Sequence, residues 1–134
     1  MGSTAGKKKK PTKLKNFVSW FEIPAVNFEK AVAFYNHIYD IQMETTKSNL
    51  HSMAYFPSNG GIGGAVISGP GSNPNENGPL IYLNGGDDLN NVLGKVEDAG
   101  GKIIMTKTLI SEDAGYFAIF IDCQGNKLAL HSNN

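Results

Sequence analysis

Trp20-Phe21-Glu22-Ile23-Pro24-Ala25-Val26-Asn27-Phe28-Glu29-Lys30-Ala31-Val32-Ala33-Phe34-Tyr35 is the stretch whose reading decides the fold. Its first part continues an alternation that starts at Phe17: Phe17, Phe21 and Ile23 fall on one face, and Val18, Trp20 and Glu22 on the other. That is the period of a β-strand. Pro24 carries no backbone donor and is expected to stop it. Asn27 then stands where a helix N-cap is wanted. Ala31, Phe34, Tyr35 and Ile38 come after it at helical spacing, which predicts a helix from Phe28 to about Tyr39.

Working outward, further strands are expected around Gln42–Thr46, Ser52–Phe56 and Ile62–Ser68, with Pro57–Gly61 as a turn. Gly69–Gly78 has no apolar side chain and reads as a linker or long loop. The pattern then restarts. Leu80–Asn84 is a strand, and Asp88 caps a helix whose stripe is Leu89, Val92, Leu93, Val96 and Ala99, ended by Gly100-Gly101. Three more strands are expected at Lys102–Thr106, Tyr116–Ile121 and Lys127–His131, the last two joined by a hairpin turn at Asp122–Asn126. The chain therefore repeats strand, helix and three strands twice, with the caps Asn27 and Asp88 separated by 61 residues. The expected organisation is a Lys-rich disordered tail over 1–15 and one α+β domain over 16–134. That domain holds a first module at 16–68, a linker at 69–78 and a second module at 79–134.

A chain of 134 residues with 40% hydrophobic content suits one domain with a core of its own. The single Cys123 excludes an intramolecular disulfide and a Cys-rich zinc motif. No apolar run approaches the roughly 18 residues of a membrane span, and residues 1–15 lack the apolar stretch of a secretory signal. A cytoplasmic protein without a membrane partner is expected. The net charge of +0 hides an asymmetry. Six of the lysines (Lys7, Lys8, Lys9, Lys10, Lys13 and Lys15) lie in the first fifteen residues, and there is no arginine. The remaining six face twelve carboxylates, which leaves the body near −6. An acidic body without arginine is unsuited to phosphate backbones, so no nucleic-acid partner is expected, and the lysine run reads as solvated.

The Trp20–Tyr35 stretch resembles the opening signature of the vicinal oxygen chelate superfamily, which includes glyoxalase I, bleomycin-resistance proteins and extradiol dioxygenases. The aromatic strand, Asp122-Cys123-Gln124-Gly125-Asn126 and apolar strand of Tyr116–His131 are similar to its closing signature. The resemblance covers residues 16–132. It implies two βαβββ modules forming a curved, mixed but mostly antiparallel sheet around a cleft, as in the glyoxalase/bleomycin resistance fold. In the enzymes of the family, His and Glu side chains from the first and last strands of each module hold a divalent metal there. By that resemblance the ligand positions fall on Trp20, Ala129, about Gly64 and Ile81, and none of these side chains binds a metal.

Glu22 and His131 each lie two residues beyond a vacated position, on the same strand face. They allow an alternative: a metal-dependent lyase or transferase, or a dioxygenase-like enzyme, with displaced ligands. The corresponding places in the other strands are Val66 and Leu83, and His51, just ahead of an expected strand, is the one further candidate donor. Glu22 and His131 read equally well as ordinary strand-end polar residues. Lys127 shares the cleft-facing parity and is placed to pair with Glu22. Cys123 has no cationic neighbour to activate it. No Walker loop or Gly-x-Ser-x-Gly elbow is present. The expected function is that of a glyoxalase-like small-molecule-binding protein with no cofactor, a divalent metal entering only under the alternative. The expected cleft is Trp20, Glu22, Ile81, Leu83, Ala129 and His131, for a small neutral or cationic ligand. The expected assembly is a homodimer.

Overall fold

The computed structural model describes residues 13–134. The tail expectation over 1–15 therefore lies, but for its last three residues, outside the described residues. The elements are β1 (Trp20–Ala25), α1 (Phe28–Tyr39), β2 (Glu44–Lys47), β3 (Ser52–Tyr55), β4 (Gly63–Ser68), β5 (Tyr82–Asn84), α2 (Asn90–Leu93), β6 (Lys102–Ser111), β7 (Gly115–Ile121) and β8 (Lys127–Ser132). They form two four-stranded sheets, ordered β1-β4-β3-β2 and β5-β8-β7-β6. In each sheet the first strand pairs in parallel with the last, and the other pairs are antiparallel. Two βαβββ modules are thus present. Each contributes one mixed four-stranded sheet, and no ladder joins edge strand β1 to edge strand β5.

Helix α1 forms as its stripe requires. Asn27 Oδ1 accepts from the Lys30 backbone N–H at 3.1 Å, and Phe28, Ala31, Phe34, Tyr35 and Ile38 are buried. Asp40 ends the helix in the left-handed region at φ 53°. The first strand departs from expectation at both ends. It starts at Trp20, leaving Phe17 88% exposed, and it runs through Pro24 to Ala25. Pro24 is tolerated because β1 is an edge strand, so one side of its backbone needs no donor.

Helix α2 is a single turn, not the long helix its stripe suggests. After Leu93 the chain continues in i→i+3 turns, with Lys95 N–H donating to Val92 O and Gly100 N–H to Glu97 O. Asn90, Asn91 and Gly94 are poor helix formers, while Leu89, Val92, Leu93 and Val96 are buried regardless. Apolar burial holds the segment in place without regular helical hydrogen bonding. Strand β6 is correspondingly longer than expected, running to Ser111 with register shifts against β7.

The modules are clipped together by the β7–β8 turn. Gln124 Oε1 accepts from Val26 and Asn27 N–H at 2.9 and 2.7 Å, and Asn126 Nδ2 donates to Pro24 O at 2.7 Å. The linker is anchored as well: Asn75 N–H donates to Asn126 Oδ1 at 3.1 Å. The two modules of one chain therefore pair with each other.

Candidate functional site: the groove between the two sheets

Edge strands β1 and β5 face one another across a groove that widens into two cavities. The larger, about 1060 Å³, is walled by Val18, Phe21, Ile62, Leu80, Ile81 and Leu83, with Lys15, Asn16, Ser19 and Asn84 as polar groups. The smaller, about 270 Å³, brings Glu22 together with Ile81, Asn75, Asn77, Asn126 and Lys127. Pro79 and Ile81 line both, so the two are neighbouring parts of one groove.

Register decides the placement of the other expected residues. Trp20 and Glu22 pair with Gly63 and Ala65, and all four lie on the open face of the first sheet, away from α1. The Trp20 indole N–H donates to Glu22 Oε2 at 3.3 Å, and its ring centroid lies 6.3 Å from that of Tyr55. In the second sheet Ala129 pairs with Tyr82 and His131 with Asn84. Leu83, which pairs with Leu130, faces the core and is 6% exposed. The expectation that Ile81 and Leu83 share a face with Ala129 and His131 is corrected accordingly. Tyr82 and Asn84 hold that face, and Ile81 and Leu83 line the groove from the core side. Gly64 and Val66 are corrected in the same way, since Gly63 and Ala65 share the face of Trp20 and Glu22.

The slip has a physical source. Asn27 directly precedes α1, but the residue directly preceding α2 is Leu89, not Asp88. Asp88 Oδ1 accepts instead from Asn90 N–H, two residues on, at 2.9 Å. That bond and the Lys107 ammonium hold the Asp88 carboxyl below its ordinary range. The modules are thus offset by 62 residues at this point, and one residue of slip moves every strand side chain to the other face. The aromatic residues carried the signal. Trp20 and Tyr82, and likewise Tyr55 and Phe117, are 62 apart in sequence. Tyr82 and Phe117 form the counterpart pair on the second open face, with centroids 6.4 Å apart.

The alternative metal site does not fit this arrangement. Glu22 and His131 stand on different sheets and line different cavities, His131 a separate hollow of about 350 Å³ with Tyr82 and Asn84. The His131 ring donates from Nε2 to Ala114 O at 2.6 Å, while Glu22 is engaged by Trp20. His51 is tied through Nε2 to Pro70 O at 3.1 Å. Among the described residues no three His, Cys, Asp or Glu side chains converge as metal ligands. Lys127 lines the Glu22 cavity but makes no ion pair with it within 4.0 Å among the described residues. Cys123 is half-buried, and burial pushes its thiol up, which makes it a poor nucleophile.

The fold is that of solved glyoxalase/bleomycin resistance structures. A glyoxalase/bleomycin resistance protein/dioxygenase domain from Frankia superposes with a TM-score of 0.67 at 15% identity, over 91% of this chain and 94% of that one. TnmS3, an antibiotic binding protein from Streptomyces, does so at 0.60 and 19% identity, over 92% of this chain and 100% of that one. A glyoxalase I variant from Zea mays gives 0.63 at 12% identity, over 86% of this chain but only 43% of that one. No family model and no curated protein matches the sequence. Among the described residues no helix is long and apolar enough to cross a membrane.

Proposed function

We propose that this chain is a glyoxalase-like binding protein that takes a small neutral or cationic molecule, without a metal, in the groove between β1 and β5. The observation that carries the reading is the cavity of about 1060 Å³, whose walls are mostly apolar with a few polar groups at the rim. Ligand sites commonly have this composition. A body charge near −6 and the Glu22 carboxylate at the far end of the groove favour a neutral or positive ligand over an anion. The antibiotic binding protein of the same fold supports small-molecule binding. No catalytic role is assigned to any side chain.

The protein works in the cytoplasm as a two-fold dimer in this reading. Trp20, Tyr82 and Met105 are 44%, 52% and 40% exposed on the open sheet faces, and a second copy is the simplest cover for them. A stable pairing would bury at least about 1,200 Å². Sedimentation of residues 16–134 at micromolar concentration tests this part, a monomer contradicting it.

Thermal-shift screening against apolar and cationic small molecules tests the ligand. A binder present at a hundred times its Kd adds about 2.7 kcal/mol, which is several degrees of Tm for a domain of this size. Ile81→Glu is expected to abolish the shift and Trp20→Ala to leave it. A binder lost in Trp20→Ala but retained in Ile81→Glu would move the site to the open sheet face and overturn the assignment.

A further inference from the structure

The lysine run Lys7–Lys10 leads into a segment of unusual composition and exposure. Residues 13–20 are exposed without interruption. Within that stretch Leu14, Phe17, Val18 and Trp20 are 55%, 88%, 55% and 44% exposed. Lys13 and Lys15 are interleaved with them, and the first carboxylate of the chain is Glu22. Positive charge and uncovered large apolar groups therefore share one segment that contains no acid, while all twelve carboxylates sit in the body behind it.

From this juxtaposition we infer that the N-terminal segment is a peripheral membrane contact, docking on the surface of an anionic bilayer with Phe17 entering the headgroup boundary. The chemistry is that of two weak signals acting together. A lysine near an anionic leaflet gains attraction that vanishes with salt, and an apolar side chain gains from leaving water. Neither suffices alone. The charge separation orients the molecule, because the acidic body is repelled by the surface that attracts the segment. A nucleic acid would engage the lysines yet leave Phe17 in water, and the absence of arginine weakens that option. Contact with a surface requires no spanning helix. As a proposal it departs from the expectation of no membrane partner, and it does not depend on which ligand the groove binds.

Co-sedimentation of the full chain with vesicles of phosphatidylcholine containing about a third phosphatidylserine, against pure phosphatidylcholine vesicles, tests the inference. The expected result is at least about tenfold stronger partition onto the anionic vesicles at 0.1 M salt, largely lost at 0.5 M salt as screening predicts. Replacing Lys7–Lys10 by Gln should remove most of the binding. A Phe17→Ser chain should weaken it about tenfold with an unchanged Tm, since this side chain is 88% exposed and lines neither cavity of the groove. Equal partition onto both vesicle types, no loss in the Phe17→Ser chain, or preference for a single-stranded oligonucleotide that displaces the vesicles would each overturn it.

Discussion

The Tyr35 hydroxyl donates to Oδ2 of Asp122 across 2.7 Å, tying helix α1 of the first module to the β7–β8 turn of the second. Tyr35 is fully buried and Asp122 nearly so. The carboxylate takes three further donors: Gln124 N–H at 2.8 Å and Asn126 N–H at 3.0 Å on Oδ1, and Asn126 Nδ2 at 3.0 Å on Oδ2. A buried charge of this kind is tolerated because its lone pairs are occupied. Tyr35→Phe removes one donor and should cost about 1–3 kcal/mol, read from urea midpoints. Asp122→Ala strands Tyr35 and Asn126 together and should cost more. Equal stability of the Tyr35→Phe and unsubstituted chains would show that the bond contributes nothing.

Alkaline pH should act through the same residue. Burial, reinforced by Asp122, holds the Tyr35 phenol well above its ordinary value of 10.0, and burial alone raises that of Tyr39. The native chain therefore keeps these protons more tightly than the unfolded chain does. The stability they contribute is complete below about pH 10 and falls as the pH climbs beyond it. The raised Cys123 thiol should start a shallow decline of the denaturation midpoints near about pH 9, and the tyrosines a steeper one beyond about pH 10, less steep in Tyr35→Phe. A midpoint unchanged up to about pH 11.5 would contradict this assignment.

The element order, the N-cap of α1 and the two βαβββ modules were legible because they rest on local chemistry: alternation and a capping asparagine. The faces of β5 and β4 were not. They depend on register, and register depends on whether Asp88 or Leu89 stands next to the second helix. Asp88 looks like a cap in sequence and does accept a backbone bond, one residue too early. Once Leu89 is aligned with Asn27, the aromatic pairs Trp20–Tyr55 and Tyr82–Phe117 correspond. The groove itself was only partly readable. Phe21, Ile62 and Leu80 come to it from strand edges and loop ends, where no sequence period marks a shared wall.

Titration with Ni²⁺, Mn²⁺ or Zn²⁺ separates the binding reading from the metal-dependent alternative. Glu22 and His131 lie in different cavities, and His131 already donates to Ala114 O. Calorimetry should show no stoichiometric binding, and Glu22→Ala should leave any residual heat unchanged. One equivalent of tightly held metal, lost in both Glu22→Ala and His131→Ala, would restore the enzyme hypothesis.

Two adjacent glycines on β4 give the sharpest test of the register that defines the groove. A Cβ built on Gly64 would lie 2.3 Å from Cε1 and Cζ of Phe21, whose ring packs 5.5 Å from that of Phe56. Phe21 also forms a wall of the larger cavity, so Gly64→Ala forces the ring off its packing and into the groove. The expected cost is about 1–3 kcal/mol, with weakened binding of any groove ligand. A Cβ on Gly63 meets only the Trp20 ring, at 2.9 Å from Cζ3, on the open face where the indole is 44% exposed and free to swing. Gly63→Ala should cost less than about 0.5 kcal/mol while shifting the emission of the single tryptophan. Under the slipped register the order of the two costs would invert, because Gly63 would then face the core. Chemical denaturation of the two variants side by side, with tryptophan emission as the probe, decides between the registers.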